Sequence, residues 1–177
     1  EVGAPLVAHP DVPLISFTGG TATGAAIATA AAPRFKKLAL EMGGKNPAIV
    51  MKSADLDEAA EGVARGAFGF SGQKCSASSR VYVDESVYDE FVSRLVDFTK
   101  GLKVADPIGK EAFTGPVIDE AAVDDYEQAI AAAKKQGGKV LYGAKVMKPP
   151  FGRRTFVLPT IVEIKNSAAI VQTETFA

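Results

Sequence analysis

Cys75 and His9 are the one cysteine and the one histidine among 177 residues. Cys75 stands among small and polar residues, GQKCSASS, rather than in an apolar run. A structural cysteine usually packs as a small hydrophobe. A reactive one needs a partly open, electropositive setting that lowers its pKa from about 8.5. A tight glycine-bearing loop can aim backbone N–H groups at the sulfur, and the same donors can hold an oxyanion. Local sequence leaves both a nucleophile and an inert thiol open. His9, in AHPDV, reads as a solvated loop or helix-end residue. That makes a papain-like Cys–His hydrolase an unattractive reading.

Glu41 is the better partner for Cys75. It ends the apolar run KLAL and directly precedes Met42-Gly43-Gly44. A carboxylate at a strand end, beside glycines, can project into the cleft where α/β sheets place ligands. Partial desolvation there would raise its pKa toward the range of a general base. A plain surface glutamate is the other reading. The run Gly19-Gly20-Thr21-Ala22-Thr23-Gly24 lies between a strand and a helix, and a helix N-terminus attracts phosphate. Ala25-Ala26 stands where a P-loop needs Lys-Ser/Thr, and the dinucleotide pattern G-x-G-x-x-G is absent. An anion-binding turn and an ordinary tight turn both remain.

The elements that must position these residues alternate in type. Leu14 to Phe17 reads as a strand, and Ala-rich Thr21 to Ala32 as a helix ended by Pro33. KLALEM and Ala48 to Met51 read as strands around Gly43-Gly44. Asp55 is a candidate N-cap, with Glu58 three residues on, for a helix to about Phe70. Gly62, Gly66 and Gly69 weaken that helix and would permit a tight contact. Arg80 to Val83 is a strand. Ser86 is expected to cap a helix whose Val87, Phe91, Leu95 and Phe98 form a core stripe. A further helix runs from Asp119 to Gln136, stopped by Gly137-Gly138, with strands at Lys139–Tyr142 and within Phe156–Ile164. Lys148 to Arg154 reads as a loop. The alternation predicts an α/β layer structure with a largely parallel sheet.

Composition bounds the function. Apolar residues make up 47% and charged residues 23%, so disorder is a poor reading. The net charge of −1, with Lys36-Lys37 and Arg153-Arg154 too short for basic patches, argues against nucleic-acid or membrane-surface partners. One Cys and one His cannot build a zinc site from soft ligands, so no metal is expected. No apolar run approaches the ~20 residues of a membrane span. A reducing compartment such as the cytoplasm is expected. The chain lacks an initiator Met and closes at IVQTETFA, so a piece of a longer protein is expected.

These pieces together resemble the NAD(P)-dependent aldehyde dehydrogenase superfamily. The matching stretches are ISFTGGTATG, LEMGGKNPAIV, FGFSGQKCSASSRVYV, GPVI, LPTIV and TETFA. LEMGGKNP and GQKCSA are the specific ones. GQKCSASSR looks most like the branch that oxidises glutamate γ-semialdehyde, the 1-pyrroline-5-carboxylate dehydrogenases of proline catabolism. The resemblance implies that Cys75 is the nucleophile, passing from thiohemiacetal to thioester, and that Glu41 activates the hydrolytic water. It implies a three-layer α/β/α arrangement, of which these residues are part, and a cofactor, NAD or NADP. Gly19, Gly20, Thr21 and Gly24 would lie beside its pyrophosphate and nicotinamide. Met42 and Gly43 would flank the nicotinamide through their backbone, Glu174 would hold the ribose hydroxyls, and Phe176 would pack nearby. Ser76 would help bind the substrate carboxylate.

Residues 1–40 would then be the last part of the cofactor-binding domain, and 41–177 most of the catalytic domain, with the chemistry in the cleft between them. Gly20 stands where many members carry Ser, and Ala177 where the motif usually has Gly. The family's upstream βαβ region and oxyanion-hole Asn have no counterpart in these residues, nor does its C-terminal oligomerisation strand. The 177 residues alone are therefore expected to be nearly inactive, and the full-length protein to be a homo-oligomer. Two alternatives stay open: a non-catalytic folding or oligomerisation module, and an NAD-independent thiol acyl hydrolase.

Overall fold

The computed structural model describes residues 2–147 and 155–177, so the expected loop from Lys148 to Arg154 lies outside the described residues. The chain falls into two compact units, Glu1–Gly44 and Lys45–Ala177.

The first unit is a strand–helix–strand repeat preceded by a short helix. Helix α1 (Gly3–Ala8) ends at His9. Strand β1 (Leu14–Thr18) leads into helix α2 (Thr21–Ala31), and strand β2 (Lys37–Glu41) returns beside β1. The two strands are parallel, with Leu14 opposite Lys37 and Thr18 opposite Glu41. Pro33 acts as expected: α2 stops and a 3₁₀ turn over Ala32–Arg34 takes Pro33 into its first positions. Lys36 Nζ ties the start of the unit to its end, donating to the carbonyls of Val7 and His9 at 2.6 Å each.

The second unit holds strands β3 (Asn46–Val50) and β4 (Ser78–Val83), also parallel, linked by helix α3 (Leu56–Phe68). Helix α4 (Tyr88–Gly101) follows, then α5 (Glu120–Lys135), the antiparallel pair β5 (Lys139–Tyr142) and β6 (Ile161–Glu163), and the short helix α6 (Ala169–Gln172). The α/β expectation holds: among the described residues two of the three strand pairs are parallel, and the strands lie in three two-stranded ribbons rather than one sheet. Strand β6 begins only after Pro159, which cannot donate to a ladder. Among the described residues no helix is long and apolar enough to cross a membrane.

The main core gathers Val50 of β3, Ala60, Val63 and Ala64 of α3, and Phe91 and Leu95 of α4. Val81, Val83 and Phe98 pack against it. A second cluster joins Val117 to Ala122 and Val123 of α5, and Ala177 packs on it.

Asp55 caps α3 as expected, its Oδ1 accepting from the N–H groups of Asp57 (3.0 Å) and Glu58 (3.1 Å). Three local expectations are corrected. Ser86 does not cap α4, whose N-cap is Val87 with no side-chain bond; Asp84 instead caps a 3₁₀ turn over Glu85–Val87 before it, its carboxylate accepting from the Ser86 N–H and hydroxyl. Phe70 does not belong to the apolar face of α3. The helix ends at Phe68, and Phe70 is 74% exposed. Nor do the helix glycines serve a tight contact: a side chain at Gly62 would meet nothing within 4 Å, and one at Gly66 only the Ser78 hydroxyl at 3.5 Å.

Candidate active site

The candidate residues of the first unit sit where β1 and β2 end. The Gly19 N–H donates to the Glu41 carbonyl at 3.0 Å, so the glycine turn and the strand carrying Glu41 are locked together by backbone. Glu41 is the last residue of β2 and is exposed, as in the surface-glutamate reading rather than the partly desolvated one. Gly20 is the N-cap of α2, in extended conformation, with no side-chain hydrogen bond and no acidic residue in the first turn. The first N–H groups of the helix, from Thr21 on, therefore have no side-chain cap and face a turn without bulk, since a Cβ at Gly20 would meet nothing within 4 Å. Gly24 is buried, and a Cβ there would lie 2.5 Å from the Met42 sulfur. Small residues here keep the Met42 side chain against the helix, with Gly43 following in the exposed turn. An uncapped helix start above a glycine cradle fits the phosphate of a dinucleotide. His9 is exposed, and its Nδ1 accepts from the Asp11 N–H, a turn role.

The candidate residues of the second unit lie on one hydrogen-bonded knot. After α3 the chain takes an unusual course: Phe70 (φ 58°), Ser71 (φ 57°) and Gly72 (φ 70°) are all left-handed. Two non-glycine residues in that region need outside support. Thr114, nearly fully buried, supplies it. Its hydroxyl accepts from the Ser71 N–H at 2.8 Å and pairs with the Ser71 hydroxyl at 2.9 Å. The Ser71 hydroxyl also reaches the carbonyls of Gly115 (3.0 Å) and Pro116 (3.2 Å). These left-handed residues throw the chain off the α3 axis into the turn that carries Cys75.

Cys75 is a free, exposed thiol, and Ser76 beside it is exposed too. Their turn closes through the Ala77 N–H on the Lys74 carbonyl at 3.1 Å. Two carboxamides hold it from either side. Gln73 donates from Nε2 to the Phe176 carbonyl at 3.1 Å and accepts at Oε1 from the Ile118 N–H at 3.0 Å. Asn46 donates from Nδ2 to the carbonyls of Cys75 (2.6 Å) and Ala77 (3.2 Å). Gln73 thus brings the cysteine turn, the GPVI loop and the Glu174–Phe176 segment together. Phe176 itself is 45% exposed. Lys45, half-buried, lies in the same region. Burial holds its amine below the ordinary lysine range, and the Arg80 charge adds to this, while Glu174 opposes it.

Sequence reasoning missed Ser71, Gln73, Asn46 and Thr114. Their partners lie 29 to 103 positions away along the chain, so nothing local announces them. Gln73 and Asn46 were present only as letters of quoted motifs.

The chain is 40% identical to the chloroplastic betaine aldehyde dehydrogenase of Beta vulgaris over 178 aligned residues, 99% of this chain and 35% of that protein. It is 41% identical, with the same coverage, to the peroxisomal aminoaldehyde dehydrogenase 1 of Malus domestica. The crystal structure of betaine aldehyde dehydrogenase from Staphylococcus aureus in complex with NAD+ superposes with a TM-score of 0.95 at 35% identity, over 99% of this chain and 35% of that one. The chain thus spans about a third of the length of these relatives. With residues 1–177 all matched by the model of the aldehyde dehydrogenase family, and its α/β units superposing on such enzymes, the chain belongs to that family.

Proposed function

We propose that the protein carrying these residues oxidises an aldehyde to a carboxylic acid with NAD or NADP, through Cys75. The observation that supports this most is the exposure of the Cys75 thiol on a turn whose backbone is pinned from two sides. An inert cysteine needs neither the exposure nor the pinning.

In this reading the Cys75 thiolate attacks the carbonyl carbon, forming a C–S bond and leaving the electron pair on oxygen. The Cys75 N–H steadies that oxygen. Gly19, Gly20, Thr21 and Gly24 would lie beside the cofactor pyrophosphate and nicotinamide, Met42 and Gly43 would flank the ring through backbone atoms, Glu174 would take the ribose hydroxyls, and Phe176 would pack nearby. When bound, the nicotinamide supplies the hydride acceptor that raises the substrate carbon to the oxidation level of an acid. Cys75 then holds that carbon as a thioester. Glu41 takes a proton from water, the hydroxide adds to the carbonyl, and the C–S bond breaks to give the acid and the free thiolate. Glu41 and Cys75 belong to different units, and their meeting belongs to this proposal.

On substrate, glutamate γ-semialdehyde was expected from GQKCSASSR alone, with Ser76 binding its carboxylate. The relatives named above are betaine aldehyde and aminoaldehyde dehydrogenases and lend that expectation no support. We favour a small aldehyde bearing an amine or a quaternary ammonium. A homo-oligomer in a reducing compartment, the cytoplasm among them, suits an exposed free thiol.

The test is NADH or NADPH formation by the intact protein with betaine aldehyde, an aminoaldehyde and glutamate γ-semialdehyde, each with and without Cys75→Ala. Loss of all turnover in the variant is expected. Near-normal turnover would overturn the nucleophile assignment. A strong preference for glutamate γ-semialdehyde would restore the narrower expectation.

A further inference from the structure

We infer that Asn46 is a positioning residue for Cys75, setting the direction of its thiol through the backbone. The inference rests on the proposal that Cys75 is the nucleophile. Asn46 opens β3, just before an irregularity in the β3–β4 register. Asn46 pairs with Ser78 but Pro47 pairs with Arg80, so Ser79 is passed over. Pro47 has no N–H to give the ladder, which explains a break at this point. Such bulges re-aim side chains. Here the re-aimed side chain reaches across 29 residues of sequence to the Cys75 carbonyl and 31 to the Ala77 carbonyl.

Both partners are carbonyl oxygens and can only accept, so only the NH₂ end of the carboxamide can face them. One nitrogen therefore gathers the oxygens on both sides of Ser76 and bends the turn around itself. Fixing the Cys75 carbonyl fixes the rotation between its Cα and the following peptide. With the Cys75 and Ala77 carbonyls both held, the peptide that follows the Cys75 Cα keeps one place in the turn, which narrows the positions the Cα–Cβ bond and Sγ can take. An attacking thiolate gains from a backbone held in this way, because a reacting group must stay near its attack position. Without Asn46 the exposed stretch Lys74–Ser76 keeps the bonds from the Lys74 N–H to the Gly72 carbonyl (2.9 Å) and from the Ala77 N–H to the Lys74 carbonyl (3.1 Å), neither of which holds the Cys75 carbonyl. The Gln73 contacts lie before the cysteine and do not constrain the peptide after it.

Three variants of the intact protein test this. Asn46→Asp keeps the shape but offers only acceptor oxygens, set against two carbonyls. Asn46→Ala removes the group without adding charge. Asn46→Gln keeps the NH₂ on a longer stem. Each is measured for kcat and KM, for iodoacetamide alkylation of Cys75 across pH, and for melting temperature. Asp and Ala variants are expected to lose about tenfold or more in kcat, the scale of a misplaced reacting group, with KM for aldehyde and cofactor little changed. Their alkylation profile should differ from that of the wild type, and Asn46→Gln should recover part of both changes. A loss of kcat that only tracks melting temperature, with an unmoved alkylation profile, would overturn the inference. So would unchanged kcat in Asn46→Ala. Should Asn46→Ala fail to fold, the Asp and Gln pair decides by the same readouts. A Cys75→Ala control separates the two ideas. If it stays active, the proposed function fails, and alkylation alone still reads whether Asn46 directs the thiol.

Discussion

Thr114→Val tests how the cysteine turn is held. The substitution keeps the shape of a side chain that is 6% exposed and removes its hydroxyl. The Ser71 N–H, now bonded at 2.8 Å, is left without its acceptor. An orphaned donor of this kind costs about 1–3 kcal/mol. The hydroxyl–hydroxyl bond adds little, because Ser71 Oγ still reaches the Gly115 and Pro116 carbonyls. The expected destabilisation is therefore about 2 kcal/mol. Against it stands the strain of left-handed Phe70 and Ser71, roughly 1–2 kcal/mol each. The two quantities are comparable, so losing Thr114 should let the chain leave the left-handed path rather than merely weaken it. The assay is urea unfolding of wild type, Thr114→Val, Ser71→Ala and the double variant, with Cys75 alkylation rate measured on each. The cycle should return a coupling no larger than about 0.5 kcal/mol, because Ser71→Ala keeps the backbone N–H that Thr114 satisfies and the cycle reads only the hydroxyl–hydroxyl bond. Alkylation should change in Thr114→Val. Stability within about 0.5 kcal/mol of wild type, the ordinary surface range, together with unchanged alkylation, would refute the reasoning.

Other expectations follow from the same coordinates. Phe91 is fully buried at the centre of the main core, so Phe91→Ala should cost about 3–5 kcal/mol in denaturant unfolding. Gly24→Ala would place a methyl 2.5 Å from the Met42 sulfur, and the flexible thioether must swing away. A higher KM for the cofactor, with Cys75 alkylation unmoved, is expected from steady-state kinetics of the intact protein. Tyr88 is pushed up to about 12, first by burial and then by its 2.9 Å bond to Glu163; burial also raises Tyr126. A raised pKa favours the protonated folded form. Its stabilisation is fully present below about pH 10, the unfolded tyrosine value, and is lost as pH climbs toward 12. Tyr88→Phe should flatten the fall in melting temperature across that window.

What could be read from the sequence follows from where the signals are written. Asp55, Pro33 and the Phe91–Leu95 spacing act on their neighbours within a turn or two, and each did so as expected. Ser86 was misjudged because Asp84, two residues earlier, offers a carboxylate that both the Ser86 N–H and its hydroxyl prefer. Phe70 kept its helical spacing on paper, but Thr114, Gly115 and Pro116, more than 40 positions on, pull Ser71 out of the helix. The same distance hid Asn46 and Gln73. Cys75 and Glu41 were conspicuous because a polar cysteine and a strand-end acid are unusual where they stand. The side chains that hold the cysteine turn are ordinary amides whose importance exists only in three dimensions.

The central claim is that Cys75 carries the substrate and that Glu41 releases it. Glu41→Gln in the intact protein, mixed with aldehyde and cofactor and digested for mass spectrometry, should show the peptide containing Cys75 heavier by one acyl group. One equivalent of reduced cofactor should form in a burst before turnover stalls. An unmodified Cys75 peptide beside undiminished steady turnover would contradict the account.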